Sequence, residues 1–458
     1  MSKCVVVGGG VAGLVAAYLL SKQGRDVVLI EQSERCGGLL NSVTDGDGNY
    51  FDQGTHIPNL TGIDELDSFL FGSEAEQKES WLCIPQLKTG NYFANKWDYE
   101  TQTIDARKLP LALYEQGIGQ LISRNSDSSA ANIQDYSKDT LGPIFFENLV
   151  KPVIDKLYGP QSDYTKLTAR NSVNYFGATR VIALDEAATE KLKELPVYDT
   201  KLGYHKHKSY QERLHSDGIP EPSYLYPKSA MGMQAWVDKL VNKVKQCGVE
   251  IKTQCIISSL HRNKNKITEV RLKSGEEISC DLLYWSAPPF IALKAMGMQT
   301  EPVSVTFRTA HIYHFCLDKP LKDKNSHYLW SWDESSPIFR ITLYGNFNSL
   351  KQNQITAEVL ADKSEKELPP KQIFEDLIAM NLINANASLQ SYKHQVIHNT
   401  FPVPTFEFEQ NVIKNYNALK ESAENIIISG RFSGKYWLLC DVLVDTFKII
   451  NRTLSDNH

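Results

Sequence analysis

Residues 3–41 read KCVVVGGGVAGLVAAYLLSKQGRDVVLIEQSERCGGLLN, and they leave the chain few folds to choose from. Cys4 to Val7 is a short apolar run suited to a parallel strand buried on both faces. Gly8, Gly10 and Gly13 follow at G-x-G-x-x-G spacing, then the apolar helix pattern LVAAYLLSKQG, closed by Gly24. A second strand, Asp26 to Ile30, ends at Glu31. Strand, glycine turn, helix, strand and terminal acid together make a dinucleotide-binding βαβ unit. Gly8 allows the tight turn, Gly10 the close approach of a pyrophosphate, and Gly13 the packing of helix on sheet. The helix N-terminus offers unpaired N–H groups to the diphosphate. Glu31 can accept from both ribose hydroxyls, and its charge repels a 2′-phosphate.

The rest of the composition sets outer limits. A chain of 458 residues calls for two domains or more. Lys and Arg number 49 against 54 Asp and Glu, a formal charge of −5, which argues against general nucleic-acid affinity. Eight scattered cysteines without a C-x-x-C pair suggest neither a zinc site nor a disulfide frame. There is no run of 18 apolar residues and so no expected transmembrane segment. The expected location is cytoplasmic and reducing.

Glu31 is followed at Gly37 and Gly38 by a second glycine pair, for which a nicotinamide site has no need. This E…GG arrangement resembles the flavoprotein form found in the amine oxidase, protoporphyrinogen oxidase, phytoene desaturase and UDP-galactopyranose mutase superfamily. The resemblance implies FAD, with Gly37, Gly38 and Ser42 close to it. Near the C-terminus, NIIISGRFSGKYWLLCDVLV resembles the family's last flavin element. There, a strand meets Gly430 and Arg431, and a helix beginning near Leu439 closes the site. By the same resemblance Ile257 presents backbone groups to the adenine.

Three further stretches resemble the mutase branch. Gly54-Thr55-His56-Ile57 stands where mutases carry G-P-H-I, which makes His56 a candidate active-site residue. The segment FENLVKPVIDKLYG places Tyr158 as a stacking residue over the substrate. FRITLYGNF places Arg340 as an anion ligand, a role its planar fork suits. The stretch 201–208, rich in Lys and His, could form a cationic rim, although Tyr198 stands where mutases have a diphosphate-gripping Arg.

The expected fold is α/β. A Rossmann-like FAD domain with a β-meander is drawn from 1–60, 225–289 and 409–458, and an interleaved mixed substrate domain from 61–224 and 290–408. The expected function is an FAD-dependent oxidoreductase passing hydride from a small anionic substrate to flavin N5. A redox-neutral sugar-nucleotide mutase is the first alternative, and a non-catalytic GDP-dissociation-inhibitor-like binding protein the second.

Overall fold

The computed structural model describes residues 2–124, 128–169, 180–218, 222–300 and 306–455. Its first sheet is wholly parallel. The strands lie in the order Glu250–Lys252, Asp26–Ile30, Lys3–Val7, Leu282–Trp285, Ile426–Ile428. In chain order this is 3-2-1-4-5, so the winding reverses between Lys3–Val7 and Leu282–Trp285. Val5, Val6, Leu283 and Tyr284 are fully buried, as expected of strands covered on both faces.

Helix Val11–Lys22 is apolar nearly all round because it is itself enclosed. It packs on the sheet and against helices Met233–Gln246 and Leu439–Ser455. Met233–Gln246 buries the stripe Met233, Trp236, Val237, Leu240 and Val244. The opposite face of the sheet is covered by the antiparallel meander Ile257–Asn263, Lys266–Leu272 and Glu277–Ser279, and by helices Pro289–Ala295 and Phe406–Ser422.

The second sheet has seven strands, in the order Leu389–Pro402, Phe307–Leu317, Gln354–Ala361, Ile338–Leu343, Tyr328–Ser331, Thr89–Phe93, Lys96–Asp98. All neighbours are antiparallel except Thr89–Phe93 on Tyr328–Ser331. One face packs on the helical segment around 133–158, the other on helix Pro370–Ala379. The stretch 60–224 reads from sequence as helices and loops, yet it supplies the last two strands of this sheet.

Among the described residues no helix is long and apolar enough to cross a membrane.

Candidate functional site

Open parallel sheets bind ligands where the winding reverses, beyond the carboxyl ends of the strands. Here that crevice is floored by Gly8 and Ser286, the residues after the two strands that flank the reversal. Ser286 donates to the Val7 carbonyl through its hydroxyl at 2.7 Å and through its N–H at 3.1 Å. A Cβ on Gly8 would stand 2.2 Å from Ser286 Oγ, and a Cβ on Gly430 would stand 3.1 Å from Ser286 Cβ. Residues from both ends of the chain therefore meet on one serine, and both glycines take positive φ, +100° and +90°.

The glycines divide by what surrounds them. A Cβ on Gly13 would lie 1.8 Å from the Gly8 carbonyl oxygen, so Gly13 serves helix-on-strand packing. A Cβ on Gly10 would meet no protein atom within 4 Å. Gly10 pairs with Gly37, and Gly37 N–H donates to the Gly9 carbonyl at 2.8 Å, which fixes the second glycine turn against the first. The helix that follows Gly10 has no side-chain cap and no acid in its first turn. Its leading N–H groups and the open side of Gly10 fit a diphosphate.

Glu31 is 9% exposed and accepts from Gly9 N–H at 2.6 Å and Ser33 N–H at 2.8 Å, one bond to each oxygen. Each oxygen keeps a second acceptor direction for a ribose hydroxyl. Cys255 N–H donates to the Glu31 carbonyl, which carries the chain past Glu31 into strand Ile257–Asn263 and puts Ile257 at this end of the crevice. Arg431 lies over the Trp437 ring, and Leu439 opens the C-terminal helix. Ser42 opens the strand after the second glycine turn. Its N–H donates to Gln234, and its hydroxyl is bonded to Asp52 and the Met231 carbonyl. Its role is to tie the second glycine turn to helix Met233–Gln246.

The substrate side forms where the GTHI loop meets FRIT, about 285 residues further along the chain. Thr55 and Thr342 hydroxyls are 2.5 Å apart. A Cβ on Gly54, whose φ is +96°, would stand 2.9 Å from Glu358 Oε2 and 3.3 Å from Arg340 Nη2. His56 is half-buried, and its Nε2 lies 3.1 Å from the Gln53 carbonyl. A carbonyl only accepts, so Nε2 bears the hydrogen. Burial first, and the neighbouring Arg340 cation second, push His56 below the usual histidine range. The ring is therefore neutral near pH 7, with its lone pair on Nδ1. Beneath it, Asp52 accepts from Tyr226 OH at 2.6 Å and Met233 N–H at 2.9 Å.

The structure thus joins His56 and Arg340, and it shows what holds the other candidates on this side. The Arg340 fork is held by Glu358, with Nε to Oε1 at 2.7 Å and Nη2 to Oε2 at 2.6 Å. Tyr158 is 5% exposed inside the apolar core with Leu157 and Phe146, which is a packing position. The lysines of the 201–208 stretch all have partners. Lys201 is fully buried and bonded to the Leu121 and Arg124 carbonyls, Lys206 pairs with Glu186, and Lys208 pairs with Glu212. Sequence reasoning missed Glu358, Asp52 and Ser286. The signal for Glu358 was a lone acid inside the apolar strand QITAEVLA.

A profile of the family described as NAD(P)-binding Rossmann-like domain matches residues 6–66. The 4,4'-diaponeurosporene oxygenase of Staphylococcus haemolyticus (strain JCSC1435) is 24% identical over 402 residues, 81% of this chain and 72% of that protein. A structure of reduced UDP-galactopyranose mutase superposes with a TM-score of 0.74 at 17% identity, over 99% of this chain and 94% of the other. A protein of Exiguobacterium sp. 255-15 described as a protoporphyrinogen oxidase gives 0.68 at 14% identity, over 99% and 98%. Residues 6–66 thus form an NAD(P)-binding Rossmann-like domain, and the chain as a whole shares its fold with the mutase and oxidase structures. Its class is oxidoreductase, and its cofactor is of the flavin type. The α/β fold shared with these structures runs through the whole chain.

Proposed function

We propose that this protein binds FAD and oxidises a small molecule by transfer of hydride from a substrate C–H to the flavin. The observation that supports the reading is the convergence of Gly8 and Gly430 on Ser286 at the reversal of the sheet, because it would let both chain ends serve one cofactor site. The bound cofactor would supply the hydride acceptor at N5. The residues that would hold it are Gly8, Gly10, Gly37 and Gly38 along the diphosphate, and Glu31 on the adenosine ribose. Ile257 would stand by the adenine, with Gly430, Arg431 and Leu439 at the closing end. Ser42 supports this set from behind.

On the substrate side His56 is the residue suited to move a proton. Its neutral Nδ1 would take the proton a substrate sheds as hydride leaves a neighbouring atom, while Nε2 stays anchored on the Gln53 carbonyl. Arg340, fixed by Glu358, would act through its charge on His56 and through the loop it supports. A mutase reading keeps one observation in its favour, the meeting of GTHI and FRIT. The commitment of Arg340 to Glu358 speaks against it, because a sugar nucleotide brings a diphosphate.

The test is reconstitution. Protein refolded with FAD and gel-filtered should carry visible flavin absorbance, and Glu31→Ala should weaken FAD binding by roughly ten- to a hundredfold, the scale of a lost charged acceptor. A colourless wild type would reject the reading. Turnover of UDP-sugars only after dithionite reduction would favour the mutase.

A further inference from the structure

Glu358 sits in the middle of strand Gln354–Ala361 and is 2% exposed. A carboxylate this deep persists as an ion only when it is paired and hydrogen-bonded. Both oxygens are used. They grip Arg340 in a fork-to-fork pair, and Oε1 also accepts from Thr55 Oγ1 at 3.4 Å. The backbone of Gly54 lies directly against the pair, with no room for a Cβ. The loop that carries His56 is therefore built onto this ion pair. Arg340 is itself 19% exposed at the side chain and lies over the Trp330 and Phe339 rings.

An anionic substrate entering here would have to take the guanidinium from a buried carboxylate that already has bidentate geometry. Glu358 would be left charged, buried and unpaired. Lys351, 1% exposed and packed over Phe51 and Tyr344, gives its ammonium to the Tyr50 carbonyl and to Gln354 Oε1. Lys201, Lys206 and Lys208 are engaged by the Leu121 and Arg124 carbonyls, by Glu186 and by Glu212.

We infer that Glu358 is the specificity-determining residue of the substrate side at the His56 loop. It turns what the FRIT motif alone would make an anion site into a neutral one, and so selects substrates that are uncharged where they meet the His56 loop. The inference rests on the flavin-site reading for where the substrate lies, although the ion pair itself does not depend on FAD. Phosphates and carboxylates are the excluded class, disfavoured by about a hundredfold or more, the scale of breaking a buried pair.

The experiment uses benzoate and inorganic phosphate as anion probes on FAD-reconstituted protein, followed by flavin absorbance and by calorimetry. Wild type should bind both with a Kd weaker than about 1 mM. Glu358→Gln keeps the shape and one acceptor but removes the charge, and it should bind benzoate at least about tenfold more tightly, as expected once the Arg340 charge is no longer cancelled. Arg340→Leu in the Glu358→Gln background should abolish that gain, which a merely structural Glu358 would not produce. Equal benzoate affinity in wild type and Glu358→Gln overturns the inference. So does submillimolar binding of either anion to wild type, a measurement that stands even where the variant fails to fold. Protein that never takes up FAD defeats the flavin reading, while the calorimetric arm on the same protein still decides the role of Glu358.

Discussion

On the cofactor side of the crevice, the groups that face the ligand space are, apart from the Glu31 carboxylate, backbone groups. They are the uncapped N–H groups of Val11–Lys22, the glycine turns at 8–10 and 37–38, and the glycine at 430. On the substrate side they are side chains that answer one another across strands far apart in sequence: Glu358 with Arg340, Thr55 with Thr342, and Asp52 with Tyr226. A backbone site demands small residues at fixed spacing and tolerates little else. A side-chain site demands only that each buried charge find its partner, and the partner can come from anywhere. The first kind is readable as a motif. The second leaves no fixed spacing to read.

The largest effect should separate two glycines within one motif. Gly13→Ala puts a methyl 1.8 Å from a backbone oxygen that cannot move without distorting the first strand. It should cost more than about 3 kcal/mol, at or beyond the usual range for overpacking, and circular dichroism should show lost or sharply weakened folding. Gly10→Ala meets no protein atom, and its φ of −67° suits any residue. The FAD-free protein should then keep its stability to within about 1 kcal/mol, while FAD affinity falls by tenfold or more. If both variants lose stability equally, the division between packing glycine and ligand glycine is wrong. Next in size is Glu358→Ala on the substrate side. It strands the Arg340 cation and should cost about 3–5 kcal/mol in urea unfolding. A loss below about 1 kcal/mol would mean that the pair is not buried in solution.

This contrast also sets what was legible before the structure. The first sheet could be read because each strand announces itself locally, from KCVVV to LLYW, and because glycine spacing names the turns. Strand Thr89–Phe93 could not, because TGNYF lies among helical stretches and its partner, Tyr328–Ser331, arrives from far along the chain. The expected division at 408/409 falls inside helix Phe406–Ser422, whose first residues include no breaker to mark it. At the site, His56 and Arg340 were visible as motif residues, but the neutral character of their surroundings was not. That character depends on Glu358, and a pairing across two strands leaves no local pattern beyond one acid in an apolar run. Lys201 misled for the same reason. Its charge was countable, whereas its burial against the Leu121 and Arg124 carbonyls was a matter of tertiary structure.

The halves should also differ in acid. Strand Phe307–Leu317 of the substrate side carries His314, fully buried, stacked on Phe51 at 4.9 Å and hydrogen-bonded through Nδ1 to Thr356 at 2.8 Å. Burial pushes its imidazole down to about 3. The folded protein therefore holds this ring neutral while the unfolded chain protonates it near the ordinary value of 6.5. Between those limits the unfolded state binds the extra proton. Stability is complete above pH 6.5 and declines as pH falls toward 3, by up to about 1.4 kcal/mol per pH unit. His327, pushed down to about 4 by burial, adds to the slope in the same sense. Urea midpoints measured from pH 7 to 4 should fall in wild type and fall less steeply in His314→Gln. Parallel slopes would show that His314 is protonated in the fold.

The smallest effect is the most direct probe of whether the two halves are joined at the proposed reaction centre. Thr55 belongs to the loop leaving the cofactor side, and Thr342 is fully buried on strand Ile338–Leu343 of the substrate sheet. Their hydroxyls lie 2.5 Å apart, and one must donate to the other. Thr55 also reaches Glu358 at 3.4 Å, so it can donate there while accepting from Thr342. Removing one hydroxyl leaves a buried partner wanting and should cost about 1 kcal/mol, whereas removing both restores an apolar contact. In a cycle of Thr55→Val, Thr342→Val and the double variant, the two losses should fail to add, with a coupling of about 0.5–1.5 kcal/mol. The same coupling should appear in the titration of His56, one residue from Thr55, followed by NMR. Each single variant should move its midpoint, and the double variant should move it by less than the sum. Strict additivity in both readouts would mean that the loop is held by Glu358 alone, and that the strand bearing Arg340 reaches His56 through charge and not through contact.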